Sequence, residues 1–245
     1  MSRVSNRNLV GGGVRDYRLL LASRLVRGFG FGFISVLLGI YLQARGVSSA
    51  GVGAVLGVGV LAGSAYGLPM ATLSGKVGRR RVLLLIGLLM AASGIDLAIA
   101  RQPLVLGAAA VTGMVGASSV DLGPFLPIEQ AMLADSVPKN LRNRAFGRYS
   151  LTGGLAFTAG AFSAAWAGSP ARMVVLFLVY AVIGLVTAGL AGLLTSQVEG
   201  SGRGPVLTRT SLKPLLGLAA LFSVDALGGG LVIQPVIAFW LHVRF

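Results

Sequence analysis

The residues best placed to do chemistry are a few charges set inside or beside long apolar runs. Arg24 and Arg27 stand three apart in the run that begins near Leu19, a spacing that puts both on one side of a helix. Asp121 lies deep in a later run, Glu129 at its far end, and Asp225 midway along the last run, just before Gly228-Gly229-Gly230. In hydrocarbon each such charge costs roughly 3 kcal/mol or more, so it is paired, faces a cavity, or reaches the interface. Arg24 is shallow and is expected to snorkel to the headgroups. Arg27, roughly 12 Å in from Leu19 at the helical rise, suits either a buried pair or contact with an anionic substrate. Asp121 falls at a similar depth and is its expected partner, with Glu129 as the fallback. Asp225 is a candidate proton or sodium-ion site. Asp96 is expected to pair locally with Arg101, and Glu129 to be an interface charge near an arginine cluster or a gating latch.

Other chemistries are excluded by composition. The chain has no Cys and one His, His242 near its end, so thiol nucleophiles, a His-based triad and clustered metal ligands are absent. No metal, cofactor or enzymatic activity is expected. Gly28, Gly30 and Gly32 have a phosphate-loop spacing but lie inside an apolar run with no strand before them, so a nucleotide site is rejected.

The elements that must position these charges are membrane helices. Of the 245 residues 55% are hydrophobic and 11% charged, against about 25% charged in soluble domains. Seven runs reach the roughly 20 residues that a span needs: about 19–42, 47–73, 82–100, 104–126, 145–167, 173–194 and 215–240. They do not alternate as barrel strands would. The fourth ends in a stretch containing Pro124 and Pro127. Residues 1–18 read as a polar cytoplasmic tail, and the first run is too long for a signal peptide.

Charge sets the expected orientation. The net charge is +14. Fifteen of the 21 Lys and Arg fall in the tail, in the loops after spans 2 and 4, and in the segment after span 6; four, Arg45, Arg101, Arg172 and Arg244, fall on the opposite side. This alternation predicts a multi-pass protein of the cell membrane with a cytoplasmic N-terminus and an extracytoplasmic C-terminus. The basic loops face anionic lipid, and nucleic acid is not an expected partner. Residues 195–214, rich in Ser, Gly and Pro, read as a flexible cytoplasmic linker between a six-helix block (19–194) and one further helix (215–245). Gly59, Gly63 and Gly67 form a small-residue stripe on span 2 that predicts close helix packing.

The loop Ala71-Thr72-Leu73-Ser74-Gly75-Lys76-Val77-Gly78-Arg79-Arg80-Arg81 resembles the signature loop of the major facilitator superfamily, matching at Leu73, Lys76, Gly78, Arg79 and Arg80. It departs at Ala71, where the family has Gly, and at Gly75, where the family has the acid that helps latch two bundles on the cytoplasmic side. Glu129 through Asp135, continuing to Arg142, Arg144 and Phe146, and the stretch from Asp225 to Leu231 also resemble the family. Span 4 lacks the Arg that proton-driven members often carry, and span 5 has Gly153, Gly154 and Gly160 without the antiporter Gly-Pro pair.

The resemblance implies an all-α fold, a six-helix N-terminal bundle plus the first helix of a second bundle, as in a truncated twelve-helix transporter. It implies alternating-access transport of a small molecule, with Glu129, Asp135, Arg142 and Arg144 as cytoplasmic gate candidates and a missing C-terminal half or a second copy as partner. A self-associating scaffold or half-size transporter is the alternative. A retinal receptor is disfavoured, because the nearest Lys, Lys213, lies at the entrance of span 7.

Overall fold

The computed structural model describes residues 4–99, 124–199 and 234–244, with isolated positions between 214 and 224. The described residues form seven α-helices and no strand: α1 (Val4–Ala44), α2 (Ser49–Val77), α3 (Arg79–Ile99), α4 (Phe125–Ser136), α5 (Arg142–Ser163), α6 (Pro170–Leu193) and α7 (Gln234–Arg244). Short 3-10 turns cover Lys139–Leu141, Ala164–Trp166 and Ser196–Glu199. Four helices, α1 from Gly13, α2, α3 and α6, are long and apolar enough to cross a membrane. The protein is an all-α helical membrane protein.

The structure adds detail to three expectations about elements. The expected tail is helical, since α1 begins at Val4: polar surface does not stop a helix when its backbone is satisfied and one face packs. Pro124 and Pro127 open a helix, α4, that was not expected after them. Pro127 falls in the first turn of α4, where its missing N–H costs no bond. Of the expected spans, the fifth corresponds to α5, which has 22 residues but is not among the helices apolar enough to qualify; Arg148, Ser150, Thr152 and Thr158 dilute it. The expected fourth span lies mostly outside the described residues, and the seventh lies within them only in part.

Helix starts follow from local chemistry. The Ser48 hydroxyl accepts from the Gly51 N–H at the start of α2, a typical cap. Pro170 stands in the first turn of α6. Between α2 and α3 only Gly78 intervenes, at φ 107°, a conformation that a Cβ makes costly.

The exterior is apolar, with Leu84, Leu85 and Leu88 on α3 and Leu178, Val182 and Leu185 on α6 exposed. That is the surface lipid requires and water penalises. Inside, Tyr41 stacks edge-on with Phe177 at 4.6 Å between ring centroids, and its hydroxyl donates to the Leu97 carbonyl at 3.0 Å. The buried hydroxyls of Ser35 and Thr187 donate to carbonyls of their own helices, so neither is left unsatisfied.

Two helix pairs form the closest contacts, α1 with α5 and α3 with α6, and glycines set both. A Cβ at Gly32 would stand 2.1 Å from the Phe157 carbonyl oxygen, and one at Gly160 2.0 Å from that of Phe29. A Cβ at Gly184 would meet the Ala91 nitrogen at 2.4 Å, and one at Gly94 the Ala181 nitrogen at 2.6 Å. These are small-residue seams that let backbones touch. The expected stripe on α2 is different. Gly59 and Gly63 are buried, but a Cβ at Gly67 would meet nothing within 4 Å among the described residues. Of the two close seams, α1–α5 is the one beside the buried charges.

Candidate functional site

The centre of the α1–α4–α5 wedge is a buried charge cluster. Arg27 is 0% and Glu129 1% exposed, and their side chains meet at 2.8 Å. The pairing is two-pronged: Nη1 of Arg27 donates to Oε1 of Glu129 and Nη2 to Oε2, each at 2.8 Å. The Ser23 hydroxyl donates to Oε1 at 2.8 Å, and the Tyr149 hydroxyl donates to Oε2. The Arg27 guanidinium also lies over the Phe125 ring, 4.2 Å from its centroid, a cation–π contact strengthened by desolvation. Each helix contributes by register: Ser23 and Arg27 are one turn apart on α1, Phe125 and Glu129 one turn apart on α4, and Tyr149 reaches in from α5.

Arg24, 9% exposed, lies over the Tyr149 ring at 4.9 Å. It fills the space that Gly153 leaves: a Cβ there would fall 2.2 Å from its Nε. The expectation that Arg24 snorkels is therefore overturned; the glycine seam gives its planar head a place inside the bundle. The expectation that Glu129 is an interface charge is overturned too, because α4 begins at the prolines and places Glu129 one turn on, in the interior beside Arg27. Asp121 and Asp225 lie outside the described residues. Asp96 is half-buried on α3, and Arg101 lies outside the described residues.

A second polar site occupies one end of the bundle, built on the signature loop. Leu73 and Lys76 close α2, and Gly78 turns the chain. The Glu199 carboxylate accepts from the backbone N–H of Arg79 at 2.5 Å and from that of Arg80 at 3.3 Å. It thus caps α3 where orphan donors and the helix dipole favour an anion. Arg79 Nη1 donates to Asp135 Oδ2 at 2.6 Å and to the Val198 carbonyl at 3.0 Å. Arg80 Nη2 donates to the Gly192 carbonyl at 2.7 Å, at the end of α6.

Gly75 is exposed, with nothing within 4 Å of a Cβ placed there. Two acids meet this loop from elsewhere, Asp135 on α4 and Glu199 in a segment read from sequence as flexible linker. Nearby, Asp16, 0% exposed, accepts from the Thr195 N–H at 3.0 Å and from its hydroxyl at 2.5 Å, and Arg15 Nη2 donates to the Leu193 carbonyl at 2.9 Å. The end of α6 is thereby held by α1 and by the signature loop.

Among the gate candidates, Asp135 meets Arg79, and Glu129 lies in the interior; Arg142 is half-buried and Arg144 exposed. Asp16 and Glu199 were missed by sequence reasoning. The available signal was scarcity, since the chain has only 7 acids against 21 bases, so each acid is contested. Among the described residues no three His, Cys, Asp or Glu converge to hold a metal.

An apolar all-α assembly with a buried arginine–glutamate clasp and an arginine-rich loop between α2 and α3 is the architecture of a polytopic membrane protein. The family model for the Major Facilitator Superfamily matches residues 20–243, and the chain belongs to that family, whose members are transporters rather than enzymes. The chain is also similar to an uncharacterized membrane protein of Saccharomyces cerevisiae, 28% identical over 147 residues, covering 60% of this chain and 33% of the yeast protein. It spans about a third of that relative's length over the matched region.

Proposed function

We propose that this chain serves secondary active transport of a small molecule by alternating access, with 19–194 as the first bundle, 195–214 as the cytoplasmic linker and 215–245 as the first helix of a second bundle. The second bundle is completed by further chain or by another copy of this one, because a single bundle cannot enclose a midplane site from both faces in turn. The observation that carries the reading is the Arg27–Glu129 clasp, a desolvated ion pair inside an apolar assembly of this family. Ionisable groups at such depth mark transport pathways or the scaffold around them. Satisfied by four donors, Glu129 is read as the fixed part that keeps α1, α4 and α5 moving as one body. Asp121 and Asp225 remain the proposed pathway residues, with a proton or sodium ion as the coupling ion.

The test is uptake into proteoliposomes under an imposed proton or sodium gradient, screening sugars, drugs and organic anions at a series of protein densities. Assembly by copies predicts uptake rising faster than linearly with density. Gradient-driven accumulation strictly proportional to density, by a chain shown to be monomeric, would reject the need for a second bundle. Absence of uptake at every density would reject assembly by copies.

A further inference from the structure

We infer that the basic end of the bundle carries a binding site for the headgroup of an anionic phospholipid, in the groove between the start of α1 and the start of α5. A cavity of about 370 Å³ lies there. Its wall includes Val14 and Tyr17 from α1, Val137, Pro138 and Leu141 from the connection after α4, and Ala145 from α5. Three guanidiniums line the same cavity, Arg18 on α1 and Arg144 and Arg148 on α5. All three are exposed, and none makes an ion pair among the described residues. Among the described residues no acid lines the cavity. The neighbouring cavity of about 570 Å³ shares part of its wall and does hold Asp16 and Asp135, but these are already engaged by Thr195 and Arg79. The positive charge at this groove is therefore uncompensated among the described residues. Tyr17 adds a buried hydroxyl with no hydrogen-bond partner among the described residues.

Three converging arginines select a phosphate-type anion. What selects a lipid over a free phosphate is the surface that follows. Along α5 the exposed face runs Arg144, Arg148, Leu151, Leu155, spaced at helical four-and-three intervals. Leu151 is 61% and Leu155 64% exposed. From Arg144 to Leu155 is about 16 Å at the helical rise, so charge at the bundle end gives way to an apolar track of acyl-chain character. A soluble anion has no use for that track or for the apolar cavity wall. Basic pockets between spanning helices on the cytoplasmic side are suited to anionic headgroups, and the excess of Lys and Arg on this end predicts that it faces the cytoplasmic leaflet.

The test measures binding of dioctanoyl phosphatidylglycerol, dioctanoyl phosphatidylcholine and glycerol phosphate to the full chain in neutral detergent, by native mass spectrometry. The expected result is at least tenfold preference for phosphatidylglycerol over both. Arg18→Gln/Arg144→Gln/Arg148→Gln should remove that preference, while Lys76→Gln/Arg81→Gln/Arg172→Gln, an equal loss of charge elsewhere, should keep it. If the triple variant folds poorly, Arg148→Gln alone should weaken phosphatidylglycerol about fivefold. Leu151→Ser/Leu155→Ser should weaken the lipid and leave glycerol phosphate unchanged.

Equal binding of the two lipids, or equal losses in the two charge variants, would overturn the site. Glycerol phosphate binding as tightly as the lipid would make the ligand a free phosphate and overturn the lipid assignment. A change in oligomeric state with unchanged lipid binding in the Leu151/Leu155 variant would assign that face to a second copy and overturn it as well.

Discussion

Glu129 accepts from Ser23, twice from Arg27, and from Tyr149, so both carboxylate oxygens are fully employed. Such a pair has paid desolvation on both sides, and breaking it from one side strands a charge at a cost of about 3–5 kcal/mol. Arg27→Ala should therefore lower detergent thermal stability sharply. Arg27→Met combined with Glu129→Leu should recover part of the loss, because no charge is stranded and only the neutral hydroxyls of Ser23 and Tyr149 lose their acceptor. A double-mutant cycle reads this as a large coupling energy; additive losses would mean that the clasp is not a unit. Tyr149→Phe removes one donor and leaves the others, so its cost should be smaller, about 1–2 kcal/mol. The same residues show the reach of sequence reasoning. That Arg27 needs a partner was legible from its depth in an apolar run. That Glu129 supplies it depended on a helix beginning at Pro124 and Pro127, and single-residue propensity does not say on which side of a proline a helix lies.

At the scale of elements, the seams between helices were harder to read than the helices themselves. Long apolar runs fix α2, α3, α6 and the end of α1 closely, because a helix satisfies its own backbone in lipid. Which glycines face another backbone is a matter of helix rotation, and a chain rich in glycine (37 of them) offers many stripes. Gly59, Gly63 and Gly67 are the most regular, yet a Cβ at Gly67 is open to space, while Gly160 and Gly184 touch backbone. Gly160→Leu and Gly184→Leu should each force their helix pair apart and abolish a monodisperse peak in size-exclusion chromatography. Gly67→Leu, Gly154→Leu and Gly189→Leu, where a Cβ would meet nothing within 4 Å, should leave the peak unchanged. The reverse pattern would mean that α1–α5 and α3–α6 are not the tight seams. The linker reading has a related lesson. Ser, Gly and Pro content marks 195–214 as flexible, but Thr195 and Glu199 are bound to Asp16 and to the start of α3, because helix ends expose backbone groups that recruit whatever polar side chain is near.

For the whole molecule, the contacts sort the helix ends into two sets. Asp16 with Thr195, Arg79 with Asp135, and Glu199 with the start of α3 gather the beginnings of α1 and α3 and the ends of α2, α4 and α6 at one end. Tyr41 with Leu97, Arg45 with Tyr41, and Arg172 over Trp166 mark the other, where α1 and α3 finish and α6 begins. The first set carries Lys76, Arg79, Arg80, Arg81, Lys139, Arg142, Arg144 and Arg148; the second carries Arg45 and Arg172. The charge asymmetry counted along the sequence is thus an asymmetry between two ends of one folded body, and it is the quantity that governs insertion. The end bearing the signature loop should face the cytoplasm. A reporter active only in the cytoplasm, fused after Arg81, should give signal, and the same reporter fused after Gly46 should be silent; a reporter active only outside should give the opposite pair. Signal after Gly46 with silence after Arg81 would invert the protein in the membrane. It would also place the three arginines of the α1–α5 groove against the outer leaflet, so the orientation experiment bears on the lipid site as well as on the direction in which any transport cycle opens.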